Sequence, residues 1–197
     1  MLDFTRLDKV RRQRPLIHCV SNIVTANDCA NLALAVGASP MMAQAPEEME
    51  AISAVSDATV LNTGTPDAEK FRACRICAVS ARHPVVLDPV GAGASRLRTD
   101  TAFRLLREVQ FTVIRGNISE IKTLASGAGT TKGVDADVAD KVTEENLDNA
   151  VAFAKAFAAR TGAVIAITGA IDIVADAQKA YCIRNGNASN SHDAVSI

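Results

Sequence analysis

The sequence has no excess of charge of either sign: 21 lysines and arginines stand against 22 acids in 197 residues, a formal net charge of -1. That balance gives no electrostatic reason to expect nucleic acid as a partner. Long apolar runs are missing too. The stretch "LALAVGASPMMAQA" is uncharged, but glycine and proline interrupt it, and it is too rich in small residues for a bilayer span. At the start, "MLDFTRLDKVRRQR" spreads charge through the window where the apolar part of a secretory signal would lie. These absences lead to the expectation of a soluble, cytoplasmic protein.

Cysteines are few and odd in number: Cys19, Cys29, Cys74, Cys77 and Cys182. An odd set in a chain of this size disfavours a disulfide framework, so reduced thiols are expected. Cys74 and Cys77 form a CxxC, yet no second Cys/His pair completes a metal site. They share helical spacing with Phe71, Ala78 and Ala81, which points both sulfurs at a core. A Walker-A loop is absent, and the G-x-G-x-x-G pattern beginning at Gly91 fails because Arg96 holds the third glycine position. P-loop and Rossmann routes to a nucleotide are thereby disfavoured.

What is present is a series of short apolar runs, "PLIHCV", "ATVLN", "PVVLD", "FTVIRG" and "AVIAITG". Their lack of polar alternation suits strands buried on both faces of a parallel sheet. Helical patterns separate them. Thr25 and Asp28 are spaced as a capping box before "CANLALAV", and Leu147, Val151, Ala154 and Phe157 form one stripe of a helix that Gly162 stops. Arg11, Arg12 and Arg14 read as the solvated face of an N-terminal helix. Residues 126–140, "SGAGTTKGVDADVAD", read as a long loop within one domain. "DIVAD" and "KAYCIRNG" are close enough for an antiparallel hairpin at the sheet edge. Alternating strands and helices of this kind predict an α/β layered sandwich.

Each strand leads into hydrogen-bonding or glycine-rich residues, and in open α/β sheets ligands collect beyond the carboxyl ends of strands, so the tips are expected to converge on one crevice. Asn22 follows the first run. Asp88 ends "VVLD", where it could hold Mg²⁺ through water or cap a helix. Gly91 and Gly93 permit close backbone approach, as a phosphate-side loop or a tight strand-to-helix turn requires. Glu120 lies three residues after Asn117: either the pair caps a helix, or Glu120 recruits Mg²⁺ near that helix's N-terminus. Arg115 emerges from a buried strand, suited to phosphate or to an ion pair with Asp88. Thr168 adds a hydroxyl and Gly169 an unobstructed amide.

In order and spacing, "SNIVTAN", "GASPMMAQAPEEM", "LNTGT", "VVLDPVGAGAS", "IRGNISEI", "KGVDA" and "AVIAITGAIDIVAD" resemble the hydroxyethylthiazole kinase family of the ribokinase-like superfamily over nearly the whole chain. The resemblance implies a ribokinase-like sandwich with a mostly parallel central sheet flanked by helices, in a single domain over residues 1–187. It implies transfer of the γ-phosphoryl group of ATP to the hydroxyl of 4-methyl-5-(2-hydroxyethyl)thiazole, with Mg²⁺, in a homotrimer whose thiazole sites lie between subunits. Carried over by position, Met42 and Asn22 become thiazole contacts. Arg115, Thr168 and Asn117 become ATP contacts, and Asp88 and Glu120 the acids that organise Mg²⁺.

After "YCIRNGN" the family continues into a strand and a G-x-G-C loop whose cysteine faces the substrate hydroxyl. Residues 188–197, "ASNSHDAVSI", carry neither, and none of the five cysteines holds that position. The expectation is a fold incomplete at its C-terminus with a non-family tail, no assignable catalytic residue, and turnover by this form at background. A non-catalytic remnant and a related vitamin or sugar kinase are the alternatives; "ASPMM" and "DPVGAG" argue against the second.

Overall fold

In the computed structural model, residues 5–127 and 141–184 are described, and they form two compact units, one up to Val85 and one from Val86. Most of the loop expected at 126–140, and the tail at 188–197, lie outside the described residues. The architecture is α/β, with eight strands, mostly parallel, flanked by helices.

The first unit opens with α1 (Thr5–Gln13), which has no buried residue and carries its arginines in solvent as its charge pattern predicts. Strand β1 (Leu16–Val20) pairs in parallel with β2 (Ser39–Met41) on one side and β3 (Ala58–Asn62) on the other. Between them lie α2 (Ala26–Ala35), a 3-10 turn at Pro46–Glu48 and α3 (Met49–Val55), and α4 (Ala68–Ser80) follows β3. Thr25 does precede α2, but its hydroxyl makes no cap bond, so the expected capping box with Asp28 is absent. Asn22 Oδ1 instead braces the turn before α2, accepting from the amides of Val24 at 2.9 Å and Thr25 at 3.1 Å. Cys74 and Cys77 are fully buried on α4, and burial lifts the Cys74 thiol to about 12 and moves Cys77 in the same direction. Both thiols therefore stay protonated, and all five cysteines are free.

The second unit takes β4 (Val85–Asp88) on to α5 (Arg96–Glu108), β5 (Val113–Asn117), α6 (Ile118–Gly127), α7 (Leu147–Thr161) and β6 (Val164–Thr168). Strands β4, β5 and β6 pair in parallel, and β7 (Asp172–Ala175) with β8 (Ala180–Ile183) forms the expected antiparallel hairpin. Gly162 stops α7 in the left-handed region at φ 70°. The buried stripe of α7 is Ala150, Phe153, Ala154, Phe157 and Ala158, displaced from the expected one because Leu147 and Val151 sit at its margin. Burial on both strand faces is not seen in β5 to β7. Alternate residues such as Ile114, Ile165, Ile167 and Ile173 are fully buried, while those between them keep partial exposure.

The core of the first unit also holds His18, fully buried, with His83 nearer the surface, and burial depresses both imidazoles below the ordinary 6.5. The folded chain keeps them neutral where the unfolded chain binds protons. Their contribution to stability is therefore full above about pH 6.5 and is lost as pH falls below it. Thermal unfolding monitored by circular dichroism should show a melting temperature that drops between about pH 6.5 and 5, with a smaller drop in His18→Gln. A flat profile shared by both proteins contradicts this account.

Candidate active site

In the first unit, side chains bind the ends of β1 and β3 together. Asn22 Nδ2 donates to Asn62 Oδ1 at 3.1 Å, and Asn62 Oδ1 also accepts from the Gly64 amide at 2.9 Å. A Cβ on Gly64 would meet Asn62 Oδ1 at 2.9 Å and Asn22 Cβ at 3.0 Å, so a larger residue would push on the Asn22–Asn62 pair. Lys70, buried in the first turn of α4, donates through Nζ to the carbonyls of Ser21 at 2.9 Å and Gly64 at 2.6 Å. Met42 directly follows β2 and is half-buried. Asn22 and Met42 thus stand beyond the carboxyl ends of neighbouring parallel strands.

Asn22, expected as a ligand contact, is first a brace in the structure: its oxygen serves the chain twice and one amide hydrogen goes to Asn62. An amide nitrogen has two hydrogens, so one donor remains to offer. Beside it, the Thr25 hydroxyl is buried with no hydrogen-bond partner among the described residues. Neither Thr25 nor Lys70 was foreseen in this role. A lysine in a first helical turn ordinarily reads as solvated, and nothing in "PDAEKF" reveals the two carbonyls that claim it.

In the second unit, Arg115 donates to Asp88 Oδ2 at 3.1 Å; the Arg115 side chain is 29% exposed and that of Asp88 5%. The ion pair, one of the two readings open for Arg115, is formed. One of five guanidinium hydrogens is so used. Glu120 and Asn117 form the reciprocal cap at the start of α6. Asn117 Oδ1 accepts the Glu120 amide at 2.9 Å, and Glu120 Oε2 accepts the Asn117 amide at 2.9 Å. Glu120 Oε1 reaches further, accepting the Gly91 amide at 2.8 Å.

Gly91 and Gly93 adopt φ of 74° and 95°, so the glycines are required by the turn itself. The Gly93 amide goes to Thr99 Oγ1 at 2.9 Å, and Arg98 donates to the Val90 carbonyl at 2.9 Å. Both glycine amides are thus engaged internally, which favours the strand-to-helix turn. Thr168 stands opposite Asn117 in the β5–β6 register, two residues along from Arg115 opposite Ala166. The amide of Gly169 is not open as expected: it donates to Asp172 Oδ1 at 2.9 Å, because β7 turns back at once. A hollow of about 220 Å³ lined by Phe103, Arg107, Phe111, Arg160 and Thr161 lies where β5 and β6 begin, at the opposite end from these residues.

Residues 7–191 match the pattern of the "Hydroxyethylthiazole kinase family". The chain belongs to this family. It is 57% identical over 189 residues to the hydroxyethylthiazole kinase of Clostridium acetobutylicum, covering 94% of this chain and 69% of that protein. The Desulfovibrio desulfuricans enzyme of the same name is 49% identical, with coverage of 92% and 65%. The solved structure of the hydroxyethylthiazole kinase protein from Pyrococcus horikoshii superposes with a TM-score of 0.80 at 34% identity, covering 93% of this chain and 66% of that one. A pyridoxal kinase from Staphylococcus aureus, 14% identical with a TM-score of 0.55, shares the fold alone. The chain spans about two thirds of the length of these relatives.

Removing the guanidinium takes from the buried Asp88 carboxylate the charge it pairs with. Arg115→Ala should therefore lower stability in urea by about 3 kcal/mol, and Asp88→Asn added to it should recover part of that loss. Strictly additive losses would show that the pair is not coupled.

Proposed function

We propose that this chain carries the binding machinery of a cytoplasmic hydroxyethylthiazole kinase, which phosphorylates 4-methyl-5-(2-hydroxyethyl)thiazole from ATP in thiamine salvage. The observation that carries the reading is Arg115, held by buried Asp88 on β4 and standing near Thr168 at the end of β6. Phosphoryl transfer depends on positioning and on stabilising charge spread over phosphate oxygens. A guanidinium braced on one side and free to donate on others supplies both. Thr168 and Asn117 add polar groups at the same pair of strand tips.

Asp88 and Glu120 are the residues that would hold Mg²⁺. Mg²⁺ is bound through one or two carboxylates together with substrate phosphates, so a closed protein cage is not needed. Asp88 supplies a buried carboxylate of the right hardness. Glu120 commits one lone pair of each oxygen to backbone amides, and a carboxylate has about four, so the donor set fits. When bound, the cation neutralises phosphate charge. On the thiazole side, the Met42 thioether suits a sulfur-containing ring, and the remaining Asn22 donor suits its nitrogen or hydroxyl.

A homotrimer is part of the proposal. Helix α2 has no buried residue, and along it and the turn before it Ile23, Val24, Leu32 and Leu34 are 78, 67, 54 and 59% exposed, apolar surface of the kind that contact with a second copy would cover. Light scattering after size exclusion should give three times the chain mass, and Leu34→Lys should shift it to one. A wild-type monomer at high concentration would refute the trimer.

Calorimetry on the chain should detect both Mg²⁺-ATP and the thiazole alcohol, with pyridoxal failing to compete. Arg115→Lys keeps the charge but loses the fork, so ATP binding should weaken about tenfold while thiazole binding stays unchanged. Binding of pyridoxal in preference to thiazole would move the reading to another vitamin kinase.

A further inference from the structure

A hydrogen-bonded chain of side chains crosses the core of the first unit, and phosphoryl transfer as described makes no use of it. His18 of β1 lies in register with Met41 of β2 and with Thr59 of β3. Its Nε2 is 3.0 Å from the Ala43 carbonyl and its Nδ1 is 3.3 Å from Cys77 Sγ on α4. A carbonyl only accepts, so Nε2 carries the proton. Nδ1 is then an acceptor and takes the S–H of Cys77. Thr59 Oγ1 stands 3.9 Å from that sulfur and 2.8 Å from His83 Nε2, and the Cys77 carbonyl accepts from Ser53 at 3.2 Å.

A fully buried imidazole on a sheet is a costly choice if the aim is only to fill space, since an apolar side chain loses no hydration. Its distinctive product is the grip on one peptide group. Ala43 follows Met42, just past the three-residue strand β2, where the backbone has left the ladder. We propose that His18 is a positioning residue: through the Ala43 carbonyl it sets the place of Met42 against the thiazole ring, with Cys77 holding its tautomer. The inference rests on Met42 being a thiazole contact, and the measurements below separate the two.

Nitrogen-15 spectra of histidine-labelled chain should show His18 as the Nε2–H tautomer, with coupling through the hydrogen bond to the Ala43 carbonyl carbon. An Nδ1–H tautomer overturns the proposal, and this measurement needs no variant to fold. In methyl-labelled protein, His18→Leu should move or broaden the Met42 methyl signal, whereas His18→Gln, which keeps a donor at the same reach, should leave it near its wild-type position. Thiazole affinity should fall about tenfold in His18→Leu and recover in His18→Gln, with Mg²⁺-ATP affinity unchanged in both. A Met42 signal unmoved in folded His18→Leu defeats the inference. Should wild-type protein bind no thiazole, the functional reading fails, and the methyl and tautomer data still decide whether His18 places Met42.

Discussion

A strand that ends inside a protein leaves peptide groups with no ladder partner and little water to replace it. The strand tips within each unit are organised by that constraint. Asn22 Oδ1 takes the amides of Val24 and Thr25, Asn62 Oδ1 takes that of Gly64, and Glu120 takes those of Gly91 and Asn117. Lys70 serves the opposite need, giving its hydrogens to the carbonyls of Ser21 and Gly64. The side chains that finish the strands include Asn22, Asn117 and Glu120, for which ligand roles are proposed, and a brace of this kind holds its remaining donors and lone pairs in fixed directions.

This double duty explains what was legible in the sequence. The five apolar runs are strands because their β-branched and apolar residues suit buried ladder positions, and the hairpin follows from two short runs close together. Strand β2 was not foreseen, since three residues containing Pro40 carry no period. Spacing finds Thr25 at the N-cap of α2 but not that its hydroxyl makes no cap bond, nor that Asn22, three residues upstream, holds the turn before the helix. Partial exposure on β5 to β7 was hidden because small apolar residues such as Ala166 look alike on covered and open faces.

The candidate site was legible as a list of residues and not as a set of bonds. For Asp88 with Arg115, and for Glu120 with Asn117, the sequence offered two partners each, and local spacing could not choose. Lys70 and His18 could not be found at all. Both act on carbonyls far along the chain, 49 residues for Ser21 and 25 for Ala43, and a carbonyl leaves no mark on sequence.

Stability alone does not account for these polar groups. A buried ion pair such as Asp88 with Arg115 is often matched or bettered by packed apolar side chains, because desolvation offsets much of the attraction. The same holds for an imidazole sealed under α4. Where apolar residues dominate, at Leu87, Ile114, Ile165 and Ile167, the strand interiors follow the rule for a core. The departures in the second unit include Asp88 at the end of β4 and its partner Arg115 in the middle of β5, and in the first unit they lead to the end of β2. Buried polar groups at positions where packing alone favours apolar ones support the ligand-binding reading proposed for Asp88 and Arg115.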